Sequence, residues 1–157
     1  MKNTVLQEDQ LSKLMRYCAY QERSEREVTQ KAIKLNIPKE NITVYIDVLK
    51  QEAFVDNERY ALHYVQGKST VKRWGLYKIR EGLKLAGISD STINSALQTI
   101  ELSTYKNNLE YLKEKQLTKY RAQGKTNKET KEKLYRFLLS KGYEHDIVYH
   151  CINVLDQ

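Results

Sequence analysis

The sequence predicts an all-α protein, a tandem array of three three-helix modules that is elongated and curved. Two observations carry this prediction. Helix-breaking residues are scarce, with one proline and six glycines among 157 residues, and one pattern of apolar residues occurs three times along the chain. Such repetition is typical of proteins whose small units cannot bury a core alone and therefore stack on their neighbours.

Six apolar positions define the repeat, and they return after 51 residues and again after a further 55. The three copies are Val28, Ala32, Ile37, Ile42, Ile46 and Leu49; Ile79, Leu83, Ile88, Ile93, Leu97 and Ile100; and Leu134, Leu138, Tyr143, Val148, Ile152 and Leu155. Because apolar residues recur three or four positions apart, each copy predicts two helices with one buried face each.

A short turn is expected between the two helices of every copy. It contains a residue that readily adopts the left-handed conformation, followed by an apolar residue that packs back. These pairs are Asn36–Ile37, Gly87–Ile88 and Gly142–Tyr143. Pro38 and Ser89 are then placed to open the next helix.

The starts of the middle helices also have a sequence signal. Ser24 with Glu27, and Thr126 with Glu129, match the S/T-x-x-E capping box, in which side chain and backbone satisfy each other. A further amphipathic segment precedes each pair of helices, at residues 8–22, 57–70 and 104–122. The predicted modules are therefore residues 1–55, 56–102 and 103–157.

Composition excludes several classes of protein. Apolar residues make up 40% and charged residues 30% of the chain, which favours a folded protein, and no stretch approaches the roughly 20 apolar residues of a membrane span. The first residues lack the apolar core of a signal peptide, so we expect a cytoplasmic protein with no membrane partner. Cys18 and Cys151 are then expected to be buried thiols.

No pattern of catalysis or metal binding is found. A phosphate-binding glycine loop, Gly-x-Ser-x-Gly and His-Glu-x-x-His are all missing from the sequence. His145 and His150 are five residues apart, so on a helix they point away from each other and suit no shared metal. We therefore predict a protein without a cofactor that is not an enzyme.

Three stretches of the chain resemble a known family. They are Glu-Arg-Ser-Glu-Arg-Glu-Val at 22–28, Phe-Val-Asp-Asn-Glu-Arg-Tyr-Ala at 54–61 and Gly-Leu-Tyr-Lys-Ile-Arg-Glu-Gly-Leu at 75–83. In order and spacing they are similar to the signature of the RecX family, E-R-S-x-x-E, then F/Y-x-D-D-x-R-F/Y-A, then G-x-x-K/R-I-x-x-x-L. The chain departs from it at Asn57, where the family usually has a second acid.

The resemblance implies a regulator, usually an inhibitor, of the RecA recombinase. Members of the family bind in the groove of the RecA–DNA filament, limit its extension, and damp strand exchange and ATP hydrolysis. The implied partners are the RecA filament and single-stranded DNA, with duplex DNA left open, and we expect the chain to act as a monomer.

The signature residues are interpreted as mainly structural. They are Ser24, Glu27, Phe54, Asp56, Arg59, Tyr60, Ala61, Gly75 and Ile79. Phe54 is expected to close the first core, Asp56 to cap the following helix, and Tyr60 and Ala61 to begin the next buried face. Arg59, three residues after Asp56, is placed to pair with it.

The candidate contact surface is a local excess of positive charge. The whole chain carries a net charge of +7, and residues 68–84 hold six basic side chains against one acidic one. Basic groups beside an aromatic ring suit phosphate neutralisation with base stacking, and equally suit docking on an acidic protein groove. The predicted filament or DNA contacts are Lys68, Lys72, Arg73, Trp74, Lys78, Arg80 and Lys84.

A second basic patch is predicted at Arg121, Lys125 and Lys128, where residues 121–125 read as an exposed, mobile loop. Two other functions remain open. One is a stand-alone DNA-binding protein that uses its modules as helix-turn-helix units, although the third helices, at 38–50, 89–101 and 144–155, carry few basic residues. The other is an adaptor for a different protein.

Overall fold

The computed structural model describes residues 6–154, and those residues form helices joined by short turns, without a strand. The helices are α1 (Glu8–Tyr20), α2 (Glu25–Lys34), α3 (Lys39–Gln51), α4 (Asn57–Thr70), α5 (Leu76–Leu85), α6 (Asp90–Leu97), α7 (Leu102–Ala122), α8 (Asn127–Ser140) and α9 (His145–Asn153). The predicted all-α class is confirmed. Leu155 of the repeat and residues 1–5, at which the lack of a signal peptide was partly argued, lie outside the described range.

The turns inside the three copies have the predicted conformation. Asn36, Gly87 and Gly142 have φ angles of 58°, 79° and 92°, in the left-handed region. In each case the next residue donates its backbone N–H to a carbonyl five residues earlier, as Ile37 does to Ala32 at 3.1 Å. That apolar residue is buried in all three copies. The turn therefore both ends one helix and begins the packing of the next.

Two more left-handed residues occur where the sequence gives no glycine or asparagine. Ala53 has φ 60° and Arg73 has φ 53°. Phe54 follows Ala53 and donates to the Leu49 carbonyl at 2.8 Å, so the end of α3 has the same turn as α2. A left-handed residue with a side chain costs about 1–2 kcal/mol, and this cost explains why neither position was predicted.

Side-chain caps begin the helices at the predicted residues. Ser24 Oγ accepts from the Glu27 backbone N–H at 3.2 Å, and Glu27 Oε2 accepts from the Ser24 N–H at 2.8 Å. Thr126 and Glu129 make the same reciprocal pair at the start of α8. Each cap of this kind stabilises its helix by about 1 kcal/mol.

One compact unit comprises the described residues through His63 together with Leu83–Ile93. Its core is formed by residues of α1, α2 and α3 and by the turn after α3: Leu14, Cys18, Val28, Ala32, Ile37, Ile42, Tyr45, Leu49 and Val55. Phe54 packs partly buried against this core, as predicted. Tyr45 is also held by polar contacts, since its hydroxyl accepts from the Gln7 N–H at 2.9 Å.

The second unit comprises Tyr64–Gly82 together with the described residues from Asn94 onward. Its core is formed by α7, α8, α9 and the turn before α9: Tyr105, Leu109, Leu112, Leu117, Tyr120, Leu134, Leu138, Tyr143, Val148, Cys151 and Ile152. Full burial of one such aliphatic side chain is worth about 1.5–3 kcal/mol. The division into three modules with the boundaries given above stays a prediction.

Cys18 and Cys151 are free and buried, as expected. Burial raises the pKa of the Cys18 thiol from 9.0 to about 11. Across residues 6–154, no helix has the length and apolar character that crossing a membrane requires.

Candidate contact site around Trp74

The turn between α4 and α5 positions the aromatic residue of the predicted contact surface. Arg73 takes the left-handed conformation, and the Trp74 N–H then donates to the Lys68 carbonyl at 2.9 Å. The chain therefore reverses at Arg73 and lays Trp74 against the last turn of α4. Trp74 lies four residues after the end of α4, outside the helical pattern, so the sequence gives no local signal for this arrangement.

Two ammonium groups approach the Trp74 ring. Lys68 Nζ from α4 and Lys78 Nζ from α5 each lie 4.6 Å from the ring centroid. Lys68 Nζ also lies 5.2 Å from the ring of Tyr64. We call Lys68, Trp74 and Lys78 the Trp74 cluster. Each cation–π contact contributes about 0.5–1 kcal/mol at an exposed position and leaves the lysine charged.

Arg73 belongs to a second arrangement of the same kind. Its guanidinium carbon lies 3.9 Å from the centroid of the Tyr111 ring, and Lys115 Nζ lies 5.9 Å from that ring. Tyr143 Oη donates to the Arg73 carbonyl at 2.8 Å and holds the turn in place. We call Arg73, Tyr111 and Lys115 the Tyr111 cluster.

A close approach of two glycines anchors the other side of the turn. The Gly75 N–H donates to the Lys141 carbonyl at 2.7 Å, and the Tyr77 N–H donates to the Gly142 carbonyl at 3.0 Å. A Cβ on Gly75 would lie 2.3 Å from the carbonyl carbon of Gly142. The signature glycine is therefore required for backbone packing, and Lys78 Nζ completes the contact by donating to the Ser140 carbonyl at 3.2 Å.

A buried polar network supports the start of α5. Tyr105 Oη accepts from the Leu76 N–H at 3.4 Å and donates to Glu144. Burial and the hydrogen bond to Glu144 raise the pKa of Tyr105 well above its ordinary value, so the hydroxyl keeps its proton. Asn108 Nδ2 donates to the Ser69 carbonyl at 2.7 Å at the end of α4. These residues were not identified from the sequence, because each acts on a segment about 30 or more residues away.

Several cations of this region are held by aromatic rings or by an amide and not by carboxylates. Within residues 6–154, no ion pair joins a carboxylate to Lys68, Lys72, Arg73, Lys78 or Arg80. Two of these cations are held by Trp74 and one by Tyr111, while Arg80 donates to Asn94 Oδ1 at 2.9 Å. The arrangement presents positive charge to an anion.

The remaining predicted contact residues lie nearby in sequence. Lys72 is exposed in the turn, and Lys84 is exposed in the last turn of α5. Trp74 is half-buried. The structure thus brings Lys68, Trp74 and Lys78 together and directs Arg73 to Tyr111, a partner that the sequence did not indicate.

The second basic patch differs from its prediction in one respect. Arg121 and Ala122 form the last turn of α7 and not part of a loop, because α7 continues for 21 residues before Gly124 turns the chain with a φ of 67°. Lys125 follows that turn, and its contact with Lys133 lowers the pKa of Lys133 below the ordinary value. Arg121 and Lys128 are exposed.

The signature residues around Asp56 have structural contacts. Asp56 Oδ1 accepts from the Arg59 N–H at 3.0 Å and caps α4, as predicted. The expected partner of the Arg59 side chain was wrong, because its guanidinium binds Glu22 Oε1 at 2.8 Å and the Ala53 carbonyl at 3.0 Å. Glu22 lies 37 residues earlier and only folding brings it close. Tyr60 and Ala61 are buried.

The departure from the family signature at Asn57 also has an explanation. Asn57 Oδ1 accepts from the Glu25 N–H at 2.9 Å, at the first residue of α2. An aspartate at this position has the same acceptor oxygen, so asparagine keeps the contact without its charge. No group of three or more His, Cys, Asp or Glu residues that would hold a metal ion occurs in the described part of the chain.

Comparison with known proteins identifies the same family as the sequence motifs. The model for the second three-helix domain of RecX matches residues 56–97, and the model for the third matches residues 105–152. Two curated proteins named regulatory protein RecX are similar to this chain. The one from Clostridium botulinum (strain Eklund 17B / Type B) is 35% identical over 80% of this chain, and the one from Clostridium tetani (strain Massachusetts / E88) is 34% identical over 85%.

These matches span 58% and 61% of the two relatives, so the chain corresponds to somewhat more than half of their length. The crystal structure of RecX from Lactobacillus salivarius has a TM-score of 0.79 and 27% identity, covering 94% of this chain and 97% of that one. A second crystal structure, of regulatory protein RecX, has a TM-score of 0.80 and 26% identity, covering 98% of this chain and 82% of that one.

Proposed function

Because this chain belongs to the RecX family, we propose that it is a regulator, and usually an inhibitor, of the RecA recombinase. It lies in the groove of the RecA–DNA filament and limits the extension of the filament, ATP hydrolysis and strand exchange. It acts in the cytoplasm as a monomer, without a cofactor and without chemistry of its own. Its partners are the RecA filament and single-stranded DNA.

One observation carries the choice of contact surface. The Trp74 and Tyr111 clusters hold four cations on aromatic rings, and within residues 6–154 none of these four has a carboxylate partner. A cation held by a ring keeps its charge and loses side-chain freedom, so it binds an anion at a lower entropic cost than a free lysine does. An acidic filament groove or the phosphates within it provide such anions.

In this proposal the chain inhibits RecA by occupying the groove of the filament. A chain that fills the groove excludes the incoming duplex, and a chain bound at the growing end blocks the next RecA subunit. The contact residues are Lys68, Lys72, Arg73, Trp74, Lys78, Arg80 and Lys84, with a second patch at Arg121, Lys125 and Lys128. Electrostatic attraction accelerates docking and makes binding sensitive to salt.

The observations disfavour stand-alone recognition of duplex DNA. A helix-turn-helix unit reads the major groove with side chains of its recognition helix. In the third helices α3, α6 and α9 the lysines are Lys39 and Lys50, and Lys50 Nζ is paired with Glu25 at 3.0 Å. These helices therefore offer little positive charge to a groove.

The decisive experiment measures ATP hydrolysis by RecA filaments on single-stranded DNA while the protein is added. We expect hydrolysis to fall as the protein approaches stoichiometry with RecA, and filament length in electron micrographs to shorten in parallel. Unchanged hydrolysis and unchanged filaments at stoichiometric protein contradict the proposal. Tight, sequence-dependent binding to duplex DNA without RecA would favour the helix-turn-helix alternative.

A further inference from the structure

A third aromatic ring with two cations occurs in the first unit, at a place that the contact prediction did not include. The guanidinium carbon of Arg23 lies 3.9 Å from the centroid of the Tyr17 ring, and Lys31 Nζ lies 5.5 Å from it. Tyr17 is in α1, Arg23 is in the turn before α2, and Lys31 is in the last turn of α2. We call these residues the Tyr17 cluster. All three side chains are half-buried and so remain accessible.

The acidic residues next to Arg23 in the sequence all bind groups other than Arg23. Glu22 Oε1 binds Arg59 Nε at 2.8 Å. Glu25 Oε1 binds Lys50 Nζ at 3.0 Å, and Glu27 Oε2 accepts from the Ser24 N–H at 2.8 Å. Within residues 6–154 no ion pair joins a carboxylate to Arg23 or Lys31. These three carboxylates therefore do not pair with Arg23.

A backbone hydrogen bond holds the Arg23 side chain in one orientation. Its Nε donates to the Tyr17 carbonyl at 3.3 Å, which fixes the guanidinium against the ring. Among the described residues no hydrogen bond joins its terminal nitrogens, Nη1 and Nη2, to an acceptor. Two parallel N–H groups on one rigid plane match two oxygens of a phosphate. The Lys31 ammonium adds a point charge beside them.

The close spacing of the two charges favours a phosphodiester ligand. Both cations lie beside one ring, so a ligand with repeated negative charges can reach both. A single nucleic-acid strand carries one charge per about 3.4 Å of helix axis. A phosphodiester backbone supplies such charges at every linkage, whereas an acidic protein segment supplies them only where acidic residues adjoin.

We propose that the Tyr17 cluster is a phosphate-binding site for single-stranded nucleic acid, separate in its residues from the Trp74 and Tyr111 clusters. Arg23 binds one phosphate through its two terminal nitrogens, Lys31 neutralises the same or the adjacent phosphate, and Tyr17 holds both cations in place. The site needs no RecA, so its test is independent of the proposed regulatory function.

The test is binding of a fluorescein-labelled oligothymidylate to the whole chain, followed by anisotropy over a series of salt concentrations without RecA. The test variant is R23Q/K31Q, and the matched control is K34Q/K39Q, which removes the same charge from two exposed lysines of the same unit. We expect R23Q/K31Q to bind about ten-fold more weakly at low salt. Its plot of log K against log salt should be shallower by about 0.7 if both cations contact one phosphate and by about 1.4 if they contact two.

Folding is checked by the helical circular dichroism signal, and Y17L provides a second test because it removes the ring while leaving both cations. We expect Y17L to weaken binding and K34Q/K39Q to bind like the unaltered chain. Equal loss in R23Q/K31Q and K34Q/K39Q would mean a diffuse charge effect and overturn the proposal. Unchanged oligonucleotide binding by R23Q/K31Q would also overturn the proposal. If that variant lost binding to polyglutamate and kept binding to the oligonucleotide, the ligand would be an acidic protein segment.

Discussion

Gly75 and Gly142 pack backbone against backbone, at a distance that leaves no space for a side chain on either residue. A Cβ on Gly75 would lie 2.3 Å from the Gly142 carbonyl carbon, and a Cβ on Gly142 would lie 2.4 Å from Lys78 Cβ. The contact joins the turn that carries Trp74 to the turn between α8 and α9. Hydrogen bonds from the Gly75 N–H to Lys141 and from the Tyr77 N–H to Gly142 complete it.

We expect G75A to destabilise the protein by about 2–3 kcal/mol, the upper part of the cost of overpacking, because the atoms in the way are backbone and cannot rotate aside. The measurement is the free energy of unfolding from urea denaturation. G67A is the matched control, since a Cβ on Gly67 meets nothing within 4 Å. Alanine there should stabilise α4 by about 0.5–1 kcal/mol. Equal stability of G75A and the unaltered chain would contradict the contact.

The Trp74 cluster gives a prediction for partner binding. K68Q/K78Q should weaken association with the RecA–DNA filament by roughly ten- to a hundred-fold, because two charge-assisted contacts are lost, and should flatten its salt dependence. K106Q/K119Q removes the same charge from two exposed lysines of α7 and should bind normally. Trp74 is the only tryptophan of the chain, so its fluorescence reports directly on the cluster.

Two results would count against that assignment. Filament binding by K68Q/K78Q as tight as that of the unaltered chain would exclude the cluster as a contact. A Trp74 emission spectrum that does not change when saturating filament is added would show that the ring stays outside the interface.

The fourfold reversal K72E/R73E/K78E/R80E should abolish binding while keeping helicity.

Asn57 provides a test of the signature position. N57A should lose about 1 kcal/mol of stability, because the Glu25 N–H at the start of α2 then lacks its acceptor. N57D keeps an acceptor oxygen and restores the family residue, so its stability should lie within about 0.5 kcal/mol of the unaltered chain. Thermal and urea unfolding measure both variants. A loss in N57D as large as that in N57A would show that charge, and not the acceptor, decides this position.

Burial of Cys18 is expected to lower the stability of the fold at alkaline pH. Burial raises the pKa of its thiol from 9.0 to about 11. Between these values the unfolded chain releases the thiol proton and the folded chain retains it, so stability is fully present below pH 9 and falls as pH rises toward 11. Urea denaturation between pH 8 and 11 should show this fall, and C18A should show a smaller one. Parallel curves for the two proteins would contradict the role of Cys18.

The helical part of the fold could be predicted because its signals are local. The spacing of Val28 and Ala32 predicts a buried helical face, and Ser24 with Glu27 predicts where that helix begins, since both depend on residues three or four positions apart. The structure confirms them and the left-handed turns at Asn36, Gly87 and Gly142. The family was also identifiable, because its signature consists of short, ordered segments.

The errors occur where local signals compete or end. Arg59 was paired with Asp56, its neighbour in the helix, but Glu22 is the better-placed carboxylate in the fold. Residues 121–125 were read as a loop although the amphipathic segment was predicted to reach residue 122, and α7 does continue through Ala122. The third helix of the second copy ends at Leu97 and not near residue 101, since Thr99 and Ile100 turn back onto Ala96 and Leu97.

The sequence by itself determined the helical repeat, its caps, its family and the excess of basic residues around Trp74. Tertiary structure alone decided which cations are neutralised and which remain available. Glu22 pairs with Arg59 and not with its sequence neighbour Arg23. Lys68 and Lys78 contact the ring of Trp74, and Arg73 contacts the ring of Tyr111. The reason is that helix formation depends on contacts between residues close in sequence. Whether a charged side chain is paired depends on the distant residues that folding brings within a few ångströms of it.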